Sequence, residues 1–131
     1  MNRQRVAAII IQNKKILLVR DAQADFFSMP GGAIDPDEDQ PTALAREVQE
    51  EIGVPMEEAE YFYSYDLMNQ VYRIPQTDHT YIVSIDTTPI PSSEIVELGW
   101  FSKDDIMNKT VKVDSGFYSE LFLKLVEEKL F

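Results

Sequence analysis

The chain has no cysteine. That excludes a disulfide framework, a thiol nucleophile and a thiolate metal site. Basic residues are scarce: 12 lysines and arginines stand against 23 aspartates and glutamates, for a formal net charge of −11, and no Lys/Arg cluster occurs. Long-range attraction to a nucleic-acid polymer or an anionic membrane is disfavoured by that balance, and neither is expected as a partner. Histidine occurs once, as His79 just before a strand. A lone histidine is more often structural or exposed than catalytic. A long apolar run is also missing: the start, MNRQRVAAIIIQNKK, soon meets Asn13, Lys14 and Lys15 and carries no cleavage-site pattern. It is too short to span a bilayer and reads as a first strand, so the expected location is the cytoplasm. No repeat, linker or low-complexity block interrupts the 131 residues, which read as a single domain, 1–131.

What is present supports a folded core, since 44% of residues are hydrophobic. Arg5 to Ile11 and Ile16 to Arg20 are β-branched apolar runs separated by Gln12-Asn13-Lys14-Lys15, a hairpin signal. Arg20 ends the second run, either near a phosphate or simply at the surface. Phe26 and Phe27 follow in a loop; at least one ring is expected on the core, and Phe27 is assigned to stack on a base. Met29-Pro30-Gly31-Gly32 forms tight backbone that side chains would obstruct, with Gly32 assigned to the substrate side. Ala33-Ile34, Tyr61 to Leu67, Val71 to Ile74, Thr80 to Asp86 and Leu98 to Phe101 are expected strands, with Thr87 to Ser93 a loop. Ser102 to Asp105 resembles a capping box, and an amphipathic helix is expected from Ser115 onward. This order of elements predicts an α/β domain with a mixed sheet held between helices.

The chemistry concentrates between Gly31 and Val54, GGAIDPDEDQPTALAREVQEEIGV. Asp39 suits an N-cap, Pro41 the first turn and Gly53 the C-terminal cap of a helix. At helical spacing Glu47, Glu50 and Glu51 fall within a wedge of about 100°, beside an apolar stripe of Leu44, Val48 and Ile52. Carboxylates so close repel one another unless a cation sits among them. Hard oxygen donors at that density suit Mg²⁺ or Mn²⁺. Arg46 lies one turn before Glu50 and can pair with it, while Glu38 is placed to support Arg46 or the loop.

An acidic helix face is ordinarily just solvated, but here a longer pattern surrounds it. From Gly32 there are five residues to Glu38, seven more to Arg46, then Arg-Glu-Val-Gln-Glu-Glu-Ile-Gly-Val. With no departure, this resembles the box of the Nudix hydrolases. The resemblance implies an α/β/α sandwich and metal-dependent hydrolysis of a diphosphate linkage. It implies Glu47, Glu50 and Glu51 as ligands of Mg²⁺ or Mn²⁺ with the Gly31 carbonyl, and Arg46, Glu47 and Glu50 as catalytic. In many relatives an acidic residue shortly before a tryptophan-bearing strand completes the metal site or acts as base. Glu94 is the first candidate here and Glu97 the second.

The expected substrate is a small nucleotide, with nucleoside triphosphates (normal or oxidised) favoured because the chain is short and has no added recognition domain. The products would be a monophosphate and pyrophosphate. ADP-ribose-like molecules and dinucleoside polyphosphates are the alternatives; a tyrosine beyond the box is associated with the latter group, and Tyr72 lies in about that region. The pattern that marks the coenzyme A group is not recognisable. A catalytically silent nucleotide-sensing module would be expected to have lost a box carboxylate or Arg46, and all are present. Nothing in the sequence chooses between monomer and homodimer.

Overall fold

Alternate residues of the first strands are claimed by opposite cores, and the rest of the architecture follows. In the computed structural model, which describes residues 2–131, β1 (Arg3–Ile9) sends Val6 and Ala8 to one core and Ala7 and Ile9 to the other. After Ile10 the short β2 (Ile11–Gln12) turns through Asn13 and Lys14, at φ 52° and 63°, into β3 (Lys15–Asp21). Two positive-φ residues match the twist of the flanking strands, so the hairpin stands where it was expected. β3 divides in the same way, Leu17 and Val19 against Ile16 and Leu18. Near-continuous apolar runs mark strands covered on both faces.

One sheet has the order β4 (Gly31–Ala33), β1, β6 (Pro75–Ser84), β5 (Glu58–Met68), with β1 parallel to β6 and the other pairs antiparallel. The other runs β2, β3, β7 (Ile95–Ser102), all antiparallel. The helix α1 (Gln40–Ile52) covers one side through Ala43, Leu44, Val48 and Ile52. The opposite side is covered by a π-helical turn, Phe117–Phe122, running into α3 (Leu123–Glu127), through Phe117, Leu121, Phe122 and Leu125. The result is the expected α/β/α sandwich, with the strands shared between two sheets. No helix among the described residues is long and apolar enough to cross a membrane.

The caps read from sequence are in place. Asp39 accepts from the Thr42 N–H at 2.9 Å, Pro41 sits in the first turn, and Gly53 closes α1 at φ 68°. Ser102 and Asp105 cap each other at the start of α2 (Lys103–Met107).

Four strand expectations are corrected. Val71 to Ile74 is not a strand but the turn between β5 and β6: the Asn69 side-chain oxygen Oδ1 accepts from the Val71 and Tyr72 N–H groups at 2.9 and 2.8 Å, and Arg73 takes a positive φ of 60°. β6 accordingly begins at Pro75, earlier than Thr80. The strand expected at Ala33-Ile34 is Gly31–Ala33, and β7 starts at Ile95, because it pairs with β3 from Asp21 to Lys15.

Candidate active site

The loop into α1 is shaped by two glycines whose missing side chains are filled by neighbours. A Cβ on Gly31 would fall on the Val6 carbonyl oxygen, and one on Gly32 would meet the Glu47 carboxylate. The Gly31 N–H donates to Glu51 Oε1 at 2.9 Å, tying the loop to the helix twenty residues on.

Arg46 organises the acidic face. Its Nε and Nη2 donate to Glu38 Oε2 and Oε1 at 2.7 and 2.8 Å, and Nη2 also reaches the Ala33 carbonyl at 3.1 Å. Nη1 donates to Glu47 Oε1 at 2.8 Å and stands 3.3 Å from Glu50 Oε2. Glu38 in turn accepts from the Asp35 N–H, so its place beneath Arg46 is set by loop and helix together. The Arg46 hydrogen bonds, then the Asp35 N–H, pull the Glu38 carboxyl down to about 2.

The inner carboxylates shift the other way. Burial pushes Glu51 up to about 7, against the opposing Gly31 N–H and the nearby Arg5 charge. Burial also raises Glu47, opposed by its bond to Arg46. A desolvated carboxylate with few compensating donors favours its neutral form unless positive charge approaches.

Glu94 arrives from a separate segment. The loop before β7 is fastened to the end of α1, with the Ile90 N–H on the Ile52 carbonyl at 3.0 Å and the Ser92 N–H on the Glu51 carbonyl at 3.1 Å. The Ala22 N–H then holds the Glu94 carbonyl at 3.0 Å. The exposed Glu94 side chain therefore stands on the same cleft as Glu47, Glu50 and Glu51.

That cleft measures about 400 Å³ and opens between the glycine loop, the acidic face of α1 and the β5–β6 turn. Its far wall carries Tyr72, which the sequence pointed to, and Arg3, Arg5, Asn69, Gln76, Asp78 and Asp114, to which it did not. The available signal was a period-two one. Arg3 and Arg5 are polar residues two apart at the head of the apolar run of β1, and Gln76, Asp78 and Thr80 are polar residues two apart on the buried face of β6.

Not every expected residue is brought in. Arg20 is held by Glu97 at 2.9 Å and by the Ala24 carbonyl at 3.1 Å, and neither Arg20 nor Glu97 lines the cleft. Phe27 packs edge-on to Phe101, with ring centroids 5.0 Å apart, because its strand-like backbone pairs with Val113 and turns the ring to the core. The ring on the cleft is Phe26. His79 bonds Ser64 Oγ and Gln4 Oε1, both at 2.7 Å, and is structural.

Among the described residues no three acidic or histidine side chains already form a compact cage. Glu47 is drawn to Arg46 and Glu51 to the Gly31 N–H. The donor set nevertheless fits a hard divalent cation: carboxylates on one helix face, two of them raised by burial, beside backbone that no side chain obstructs. Glu47, Glu50, Glu51, the Gly31 carbonyl and Glu94 are the groups that would hold it.

Residues 1–121 match the family model of the NUDIX domain. A stretch of 64 residues is 45% identical to the CTP pyrophosphohydrolase of Escherichia coli (strain K12), covering 46% of this chain and 47% of that protein. The match thus spans about half the length of that relative. Among solved structures, the solution structure of the E. coli ORF135 protein is 30% identical, covers 98% of this chain and 94% of its own, and superposes with a TM-score of 0.77. The crystal structure of a MutT protein from Methanosarcina mazei Go1 gives a TM-score of 0.84 over 98% of this chain and 95% of its own; at 23% identity that likeness is one of fold.

Proposed function

This chain belongs to the Nudix family, and from that premise we propose that it is a divalent-metal-dependent hydrolase of nucleoside triphosphates, normal or oxidised, releasing the monophosphate and pyrophosphate. The observation that carries the reading is the convergence of Glu47, Glu50, Glu51 and Glu94 on one cleft beside the Gly31-Gly32 backbone. The E. coli relative, by its name, acts on a nucleoside triphosphate.

In the reaction, water adds to a phosphorus of the diphosphate linkage and the bridging P–O bond breaks. The bridging oxygen leaves with pyrophosphate, and the proton of water passes to a base. Mg²⁺ or Mn²⁺ bound by the carboxylates and the Gly31 carbonyl would offset phosphate charge, polarise a phosphoryl oxygen and acidify water. Arg46 fixes the direction of Glu47 and Glu50, and Glu38 fixes Arg46. Gly32 leaves room for the Glu47 carboxylate. Glu94 comes from a loop with no helical neighbours to satisfy, which suits a base that receives the proton.

A second reading, dinucleoside polyphosphates or ADP-ribose-like substrates, has the exposed Tyr72 on the cleft wall in its favour. A silent nucleotide sensor is disfavoured by the intact set of Arg46, Glu47, Glu50 and Glu51. The test is a nucleotide panel with Mg²⁺, ranked by kcat/KM with products identified, and repeated after dialysis against chelator. Hydrolysis of no nucleotide by the folded protein, or full activity in chelator, overturns the reading.

A further inference from the structure

We propose that Arg5 is a positioning residue for this site: by holding the Met29 carbonyl it sets the backbone at Gly31, whose carbonyl is one of the groups that would hold a divalent cation. The proposal rests on the metal-dependent reading given above. It starts from an anomaly in β1, a strand whose neighbouring residues Val6 to Ile9 are wholly buried and apolar. Arg5 sits in that strand with only 12% of its side chain exposed, and its partner Asp78 with 3%.

The two ends of the guanidinium do different things. Nη1 donates to Asp78 Oδ2 at 3.1 Å, while Nη2 donates to the Met29 carbonyl at 2.6 Å. The next two backbone groups are pinned as well: the Pro30 carbonyl accepts from the Ala8 N–H at 2.8 Å, and the Gly31 N–H donates to Glu51 at 2.9 Å. Three successive residues of the loop are thus fixed by β1 and by α1. The second pin is backbone, while the first and third are side chains that no strand ladder needs, Arg5 from β1 and Glu51 from α1.

The pin itself is braced from behind. Gln76 Nε2 donates to the other oxygen of Asp78 at 2.6 Å, and Gln76 Oε1 accepts from Arg3 and Asn69, both at 2.8 Å. Asp78 is therefore held by β1 and β6 and, through Asn69, by the turn after β5. Replacing a buried ion pair by apolar residues is often neutral or stabilising, so stability alone is a weak reason for this arrangement. Fixing a carbonyl direction is a task that an apolar pair could not perform.

Arg5→Lys separates the fork from the charge, because an ammonium keeps the charge but cannot hold Asp78 and Met29 in one rigid plane. The experiment compares wild type and Arg5→Lys by nucleotide kinetics, thermal melting and calorimetric titration of Mn²⁺ without nucleotide. For the folded variant, kcat and Mn²⁺ affinity should each fall by about 10–100-fold, as when a group orienting a metal ligand is lost. KM for the nucleotide should stay within about threefold, since uniform binding is untouched. A folded variant whose kcat and Mn²⁺ affinity both lie within about twofold of wild type overturns the proposal and leaves Arg5 as a core ion pair. If Arg5→Lys does not fold, Asp78→Asn decides, because the amide keeps the shape and one acceptor. A severalfold drop in kcat at unchanged KM supports the positioning role, and an unchanged kcat overturns it. Wild-type protein that neither binds Mn²⁺ nor hydrolyses nucleotide would instead overturn the hydrolase reading, and this proposal with it.

Discussion

Arg46 grips Glu38 with two edges of its guanidinium, Nε to Oε2 at 2.7 Å and Nη2 to Oε1 at 2.8 Å, across eight residues of sequence. The pair joins the loop to the helix, and its third nitrogen is left for Glu47 and Glu50. A forked contact of this kind is not reproduced by lysine. Arg46→Lys is expected to lower kcat by about 10–100-fold while the chain stays folded. Steady-state kinetics beside a melting curve checks this; kinetics matching wild type would reduce the fork to a surface ion pair.

Burial of Glu51 predicts a pH slope for the metal-free protein. Its folded value is raised from 4.5 to about 7, so between those values the folded state holds a proton that the unfolded state has released. Stability in chelator should therefore fall as pH rises through that window, and Mg²⁺, which needs the ionised carboxylate, should restore it at the alkaline end. Glu51→Gln should flatten the slope, melt no lower than wild type above about pH 7, and lose most activity. Parallel melting-versus-pH curves for the two proteins would show that Glu51 does not titrate in this way.

Gly32→Ala places a methyl group against the Glu47 carboxylate, the movable end of a side chain. The fold should survive while Glu47 is displaced, with kcat reduced by about 10–100-fold and the Mg²⁺ requirement raised. Gly31→Ala meets β1 backbone instead and should cost stability first. Circular dichroism melts with Mg²⁺ titrations of activity separate the two. Equal melting losses for both substitutions would contradict the distinction.

Glu94→Gln is expected to lower kcat by about 10²–10⁴-fold, the range for losing a general base, with KM and melting temperature little changed. Glu97→Gln is the milder comparison, since Glu97 is paired with Arg20 at 2.9 Å and does not line the cleft. If Glu97→Gln proves severe and Glu94→Gln costs only a few-fold, the assignments exchange. If both are mild, the base lies in the helix, with Glu47 the first choice.

The contiguous features were determined by the sequence alone. Helix periodicity put Glu47, Glu50 and Glu51 on one face, and the caps at Asp39 and Gly53 follow from local backbone preferences. The Arg46–Glu38 contact was likewise legible, because both ends lie within one loop-helix unit.

What only tertiary structure decided involves residues far apart in the chain. Arg3 and Arg5 become cleft residues because parallel pairing sets β1 beside β6, opposite Gln76 and Asp78. Phe26 rather than Phe27 faces the cleft because pairing of Phe27 with Val113 fixes which neighbour turns inward, and a strand has no such preference until a partner is chosen. Val71 to Ile74 carries strand-forming side chains, yet the Asn69 side chain captures its backbone donors and makes a turn. Local propensity sets what a segment can form; burial and backbone pairing with distant strands select among those forms and bring the Glu94 loop to the acidic helix.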